Sequence, residues 1–413
     1  MRRTETVFRE LREPNLMRVN YDRLQRRMSE FGLDALVSTT AENLTYLTGV
    51  SSVHLDMFPH SGRAFAVLPR DTEAGAVFVC GRCEVDQFLD ADERIAEAIA
   101  YGPFYRELPE EVTLNHEDDL LRTVSDDRRF DDALAALTHA VQQVCPGGGR
   151  VAVDEEGVPA EFLDELGKRL TGWQLVPGAA HLRHVRQVKT ARETELVAAA
   201  ARVAENAIRA TVAVMREGVT ERELVREFNR SVVSQGGTPR FTLIRIGANA
   251  VAGQRLPTTT ALRRGQAVWF DVGAVVDGYW CDIARVATLG EPDQRVARLY
   301  EAVLAGEQAA LDHARPGMTG QELFELTVGA VRDAGIPHYR RSHVGHGIGV
   351  EVYDPVLIRP DSTDPLREGT VVNIETPYYE FGFGCVHVED PFVVGPDGNR
   401  LLTTLPRELI VVR

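Results

Sequence analysis

The chain has 413 residues, 44% hydrophobic and 26% charged, a composition that suits a globular protein with more than one core. Its net charge of −15 excludes the basic face that a nucleic-acid partner needs, and no apolar run approaches the ~18–20 residues that span a bilayer. Five scattered cysteines make no disulfide framework, and the opening MRRTETVFRELREPN lacks an apolar signal core, so a cytoplasmic protein without membrane attachment is expected.

In chain order, residues 23–31 have helical periodicity, and residues 33–38, 64–68 and 76–80 read as strands. Cys80 and Cys83 form a CGRC pair with no second pair nearby, and both are read as structural. The acidic stretch 108–129, with Glu110, Glu111, Glu117, Asp118, Asp119, Asp126 and Asp127, reads as a solvated loop. Residues 131–144 form an amphipathic helix, stopped by Pro146-Gly147-Gly148-Gly149. A strand over 151–154 and a helix over 160–170 follow. This alternation predicts an α/β domain with a mixed sheet over residues 15–180, and a second domain over residues 181–413.

The second domain contains an internal echo. Gly218-Val219-Thr220-Glu221-Arg222-Glu223-Leu224 recurs as Gly317-Met318-Thr319-Gly320-Gln321-Glu322-Leu323. Each copy follows a long Ala-rich helix (193–215 and 295–314) and opens another helix with a T-x-x-E capping box. The economical reading is a duplicated α+β unit, its strands folded together and its helices on the outer face.

The residues that point to chemistry lie in the strands of that domain. Asp271 and Asp282 flank a hairpin turn signal, Val276-Asp277-Gly278. They are directly opposed if the turn is centred on 276–277 and diagonal if it is centred on 277–278. Either register puts them on one face, ~5–8 Å apart. Their neighbours are Trp, Phe, Val and Ile, which favour burial, and a buried carboxylate pair needs a proton or a cation. Glu375 and Glu389 sit in similar apolar runs, and His346 stands between glycines in Gly345-His346-Gly347. Four carboxylates carry about −4, which two divalent cations balance. With one imidazole the donor set suits Mn, Fe, Co or Zn, and two such ions ~3.5–4 Å apart activate water against a carbonyl.

These motifs resemble the pita-bread metallohydrolases: methionine aminopeptidase, aminopeptidase P, prolidase and the creatinase branch. Leu33-Asp34-Ala35-Leu36 with Asn43-Leu44-Thr45-Tyr46-Leu47-Thr48-Gly49 looks like the creatinase-type N-terminal domain. Arg186-Gln187-Val188-Lys189, followed by Glu193 and Glu195, resembles the entry to the catalytic domain. The resemblance implies a duplicated pita-bread catalytic domain and a dinuclear centre held by Asp271, Asp282, His346, Glu375 and Glu389. It also implies that Asp271 and Glu389 bridge the metals, that Glu375 doubles as a proton shuttle, and that the protein is a homodimer. His54, Phe58 and Arg63 are candidates for reaching a partner subunit's site.

The chain departs from that pattern where substrate is read. Tyr353 stands where these peptidases usually carry a second histidine, and Gln254 where an upstream one follows a G-x-N motif, here Gly247-Ala248-Asn249. Ser342 replaces a histidine common in proline-specific members, with His343 one place later, and His387 occupies a position that is commonly arginine. Gln254, Tyr353, His343 and His387 are therefore the expected substrate-binding residues. Tyr353 is also the expected oxyanion donor, beside Glu375 as the proton carrier. The expected activity is cleavage of an amide bond in a short peptide or a small N-acyl amide. A metal-dependent lyase of the same fold and a non-catalytic scaffold are the alternatives.

Overall fold

The structure is a computed structural model that describes residues 17–91, 94–127 and 129–413. The N-terminal segment read above and Arg128 of the acidic stretch lie outside those residues. The chain divides into two compact units, Met1–Arg186 and Gln187–Arg413. Among the described residues, no helix is long and apolar enough to cross a membrane.

The first unit is a mixed sheet of seven strands between helices. Its elements are α1 (Tyr21–Glu30), β1 (Ala35–Ser38), α2 (Ala41–Thr48), α3 (Val53–Met57), β2 (Phe65–Pro69), β3 (Ala76–Gly81) and β4 (Ile95–Tyr101). Then come α4 (His116–Asp127), β5 (Arg129–Phe130), α5 (Ala133–Val144), β6 (Gly149–Val153), α6 (Ala160–Arg169), β7 (Trp173–Pro177) and α7 (Ala179–Arg186). The strand order is β5-β4-β3-β2-β1-β6-β7, with β1 antiparallel to β2 and parallel to β6. Val37, Phe65, Val67, Val79 and Val151 pack against Leu137 and Val141 of α5 to form its core.

Two features differ from the sequence reading. The acidic stretch holds α4 instead of remaining a loop throughout. Asn115 begins that helix, its side chain accepting from the Asp118 amide at 2.8 Å, and Glu117, Asp118 and Asp119 face the positive end of the helix dipole. The division between the units also falls after Arg186 instead of at 181. Arg23 donates to the His184 carbonyl at 2.9 Å and Arg27 to His181 Nδ1 at 3.1 Å, tying α7 to α1.

The second unit begins with α8 (Ala191–Ala213), α9 (Glu221–Ser234), β8 (Thr238–Ile246), a 3-10 helix (Gly247–Ala252), β9 (Ala267–Val276) and β10 (Tyr279–Leu289). Its second half runs through α10 (Gln294–His313), α11 (Gly320–Asp333), β11 (Gly345–Gly347), β12 (Asp354–Leu357), β13 (Val371–Glu375), β14 (Tyr378–Glu380), β15 (Gly384–Val386) and β16 (Glu389–Val393), with short β17 (Arg400–Leu401) and β18 (Ile410–Val412) at the end. One sheet joins the halves in the order β12-β11-β13-β16-β10-β9-β8. Phe270, Val272 and Ile283 pack under Ala204, Ile208 and Phe228 of α8 and α9. Val372 and Ile374 pack under Val303 and Val331 of α10 and α11. The helices thus take one face of the sheet, and alternation along each strand sends the polar residues to the other.

Candidate metal centre

The hairpin β9–β10 turns through Asp277 and Gly278, whose φ values of 48° and 81° are those of a two-residue hairpin turn. Asp271 therefore pairs with Ala284, and Asp282 with Gly273, which is the diagonal register. Ala284 also pairs with Glu389 of β16, and Glu389 with Glu375 of β13. Asp271, Ala284, Glu389 and Glu375 consequently form one row across four neighbouring strands, all on the same face. The small Ala284 leaves room in the middle of that row. Asp282 lies two residues before Ala284, and Asn373, two residues before Glu375, pairs with His346 of β11. Period-2 geometry delivers every residue of the predicted ligand set to one surface.

Asp282, His346, Glu375 and Glu389 are buried, and Asp271 is largely so. Burial raises the Asp271 carboxyl to about 8, with Glu375 pushing the same way. Burial and the neighbouring carboxylates also push Asp282 and Glu389 well above the ordinary range. Glu375 behaves oppositely. Burial pushes it up, but the His343 hydrogen bond and the positive charge of Arg341 work against that, and it falls to about 2.

His346 Nδ1 lies 2.9 Å from the Gly347 carbonyl, which can only accept, so Nδ1 carries the proton. Nε2 then presents a lone pair 3.9 Å from Asp282 Oδ2 and 4.0 Å from Glu389 Oε1. A lone pair facing two carboxylates is repulsive unless a proton or a cation lies among them. Asp282 Oδ1 and His346 Nε2 are buried without a hydrogen-bond partner, and the donor atoms of Asp282, His346 and Glu389 fall within 4.8 Å of one another. The residues fit divalent cations by charge, donor type and spacing.

The remaining predicted residues lie at different distances from this cluster. His343 Nε2 is 2.7 Å from Glu375 Oε1. Tyr353 stacks on the His346 ring, centroids 3.9 Å apart, and places its hydroxyl 3.3 Å from His343 Nε2. Burial and the surrounding carboxylates keep that phenol protonated. His387 is fully buried, which leaves it no surface to offer a substrate directly. Its Nε2 is 3.4 Å from Glu389 Oε2, and burial depresses its pKa to about 3. Gln254 lies exposed in the turn after the 3-10 helix and, among the described residues, makes no hydrogen bond to the carboxylates.

Sequence reasoning missed Arg341 and Asn373. Arg341 donates to Glu375 Oε2 at 3.3 Å, and Asn373 donates to Glu389 Oε1 at 2.6 Å. Asn373 had a signal, since it lies two places before Glu375 and so on the ligand face. Arg341 lies outside any strand, where no periodicity predicts direction.

A duplicated α+β sheet with a buried carboxylate–histidine cluster on its inner face defines a metal-dependent hydrolase, and comparison with known proteins gives the family. Residues 195–396 match the profile of metallopeptidase family M24, and residues 21–188 that of the creatinase/prolidase N-terminal domain. The chain belongs to this metallopeptidase family, in the branch with the creatinase-type N-terminal domain and the pita-bread catalytic fold. It is 30% identical over 259 residues to the Xaa-Pro dipeptidase of Pyrococcus horikoshii, an alignment covering 62% of this chain and 74% of that one. It is 26% identical over 397 residues to the Xaa-Pro dipeptidase of Lactobacillus helveticus, covering 95% and 99%. The fold matches the solved Xaa-Pro dipeptidase of Bacillus anthracis with a TM-score of 0.77 at 20% identity, covering 95% and 99%. The lyase and scaffold alternatives give way to a metal-dependent hydrolase.

Proposed function

We propose that the protein hydrolyses an amide bond in a short peptide or a small N-acyl amide at a centre of two divalent cations, Mn, Fe, Co or Zn. The observation that carries this reading is the row Asp271–Ala284–Glu389–Glu375, with the His346 lone pair turned toward Asp282 and Glu389. Asp271, Asp282, His346, Glu375 and Glu389 would hold the ions. When bound, the ions would polarise the scissile carbonyl and lower the pKa of water.

The chain's own groups then handle protons and charge. A carboxylate only accepts, so His343 Nε2 donates to Glu375 Oε1. The Tyr353 oxygen at 3.3 Å shares that donor, which leaves its own hydrogen free for an oxyanion. Glu375 takes the proton released from water and passes it to the leaving nitrogen, and half-buried His343 links that carboxylate to solvent. By resemblance to the superfamily pattern, Tyr353 replaces a second histidine and Ser342, with His343 one place later, replaces another, which favours a substrate set wider than, or different from, Xaa-Pro dipeptides. The same reading carries a homodimer in the cytoplasm.

Glu375→Gln keeps an oxygen donor but cannot carry the proton. Its kcat on a cleaved peptide or N-acyl amide should fall on the order of 10²–10⁴-fold, with metal retained. Tyr353→Phe keeps the ring on His346 and should fall less. Undiminished turnover in Glu375→Gln would overturn the proposal.

A further inference from the structure

The two buried histidines of the centre are held in opposite tautomers, and this separates their roles. His346 gives its Nδ1 proton to a backbone carbonyl and so turns a bare Nε2 toward the carboxylates. At His387 the partner is the Trp269 indole, whose Nε1 lies 3.3 Å from His387 Nδ1. An indole nitrogen is a donor only, so His387 Nδ1 must accept, and the proton of the neutral ring sits on Nε2. The indole is itself seated firmly: a Cβ at Gly253 would come within 2.4 Å of its ring carbons. The two rings lie nearly parallel, with an interplanar angle of 27°.

By proximity alone, His387 looks like a ligand, because its nitrogen lies within 4.8 Å of donor oxygens of Glu375 and Glu389. A protonated Nε2 cannot bind a cation, but it can donate to a carboxylate. Glu389 Oε2 lies 3.4 Å away and His387 Nε2 is buried without a hydrogen-bond partner, so a small turn of the carboxylate would let it receive that proton, while Asn373 Nδ2 holds Oε1 of the same carboxylate at 2.6 Å.

We propose that His387 is a positioning residue and not a metal ligand. Trp269 locks it in the Nε2–H tautomer, and together with Asn373 it fixes both oxygens of Glu389 in the orientation the cations require. Partners of ligating carboxylates act in this way, and losing one typically weakens metal binding on the order of 10–100-fold without removing the site. The inference rests on the metal-centre reading above, but the tautomer can be measured without metal, so the two can fail separately.

The test uses protein labelled with ¹⁵N-histidine, with ¹⁵N–¹H correlations recorded metal-free and zinc-loaded and the His387 signals assigned by their loss in His387→Gln. The expected result is an unprotonated Nδ1 and a protonated Nε2 in both states. Trp269→Phe, which keeps a ring but loses the donor, should let the Nδ1–H form appear. Zinc titration should give His387→Gln the wild-type stoichiometry, because the amide can still donate to Glu389, and His387→Ala a weaker affinity by the factor above. A protonated Nδ1 in the zinc-loaded wild type, an unchanged tautomer in Trp269→Phe, or loss of a metal equivalent in His387→Gln would each overturn the proposal. Wild-type protein that binds no zinc but shows the expected metal-free tautomer would uphold the lock and overturn the metal-centre reading instead.

Discussion

In the first half of the catalytic unit Thr220 caps α9 with Glu223, and in the second Thr319 caps α11 with Glu322; both capping boxes are closed in each direction. The extended segment that bridges to each cap is also the same. Gly218 donates to the Leu262 carbonyl and Leu262 back to Val219, while Gly317 donates to Leu366 and Leu366 back to Met318. The halves part at the next residue. Glu221 is buried and accepts from the Ile246 and Thr258 amides, the Thr258 hydroxyl and Asn249, holding the loop that carries Gln254. Gly320, its counterpart, has no side chain, and a Cβ there would lie 2.4 Å from the Leu357 carbonyl oxygen. One half fixes its loop with a carboxylate and the other by bare backbone contact. The site repeats this asymmetry. The first half supplies two aspartates from one hairpin, and the second supplies His346, both glutamates and the donors Arg341 and His343 that bear on Glu375. Duplication has kept the frame and let the chemistry diverge.

The comparison can be broken by exchanging its devices. Glu221→Ala strips the acceptor from several donors at once and should cost about 3–5 kcal/mol. Gly320→Ala forces the Leu357 backbone and Ser362 to move away from the new Cβ and should cost about 1–3 kcal/mol. Urea unfolding measures both, and equal losses would show that Glu221 is not the keystone of its loop. Acid sharpens the same point. Burial raises the Glu221 carboxyl, but its hydrogen bonds from Thr258, Asn249 and Ile246 outweigh that and hold it below the ordinary range. A group depressed in the folded state contributes stability that is complete above its unfolded pKa, near ~4.3, and is lost as pH falls through the folded value. Wild type should therefore lose stability below about pH 4 more steeply than Glu221→Gln. The smallest expected effect is the symmetric one. Thr220→Ala and Thr319→Ala should each cost about 1 kcal/mol, and a large inequality would argue that the two caps are not equivalent.

Much of the frame, and the gathering of the candidate ligands on one face, was legible in the sequence, because both rest on short-range rules. Alternation placed Asp271, Asp282, Glu375 and Glu389 on one face of their strands, and the repeated T-x-x-E signalled the two halves. What escaped depended on contacts between distant segments. The Trp269–His387 hydrogen bond joins residues 118 positions apart, so nothing local marks His387 as buried beneath the cluster. Arg341 reaches Glu375 across 34 positions from an irregular segment. The helix α4 was hidden by its acidity, which reads as solvation unless Asn115 is recognised as a cap.

The central claim is that the two halves meet around metal, and metal content measures it directly. Plasma mass spectrometry on protein purified without chelator should find about two transition-metal ions per chain in the wild type. Thr319→Ala should keep them, and Glu389→Ala, which removes the carboxylate shared by the row, should lose them. Wild-type protein that stays metal-free after reconstitution with Mn, Fe, Co and Zn would contradict the account.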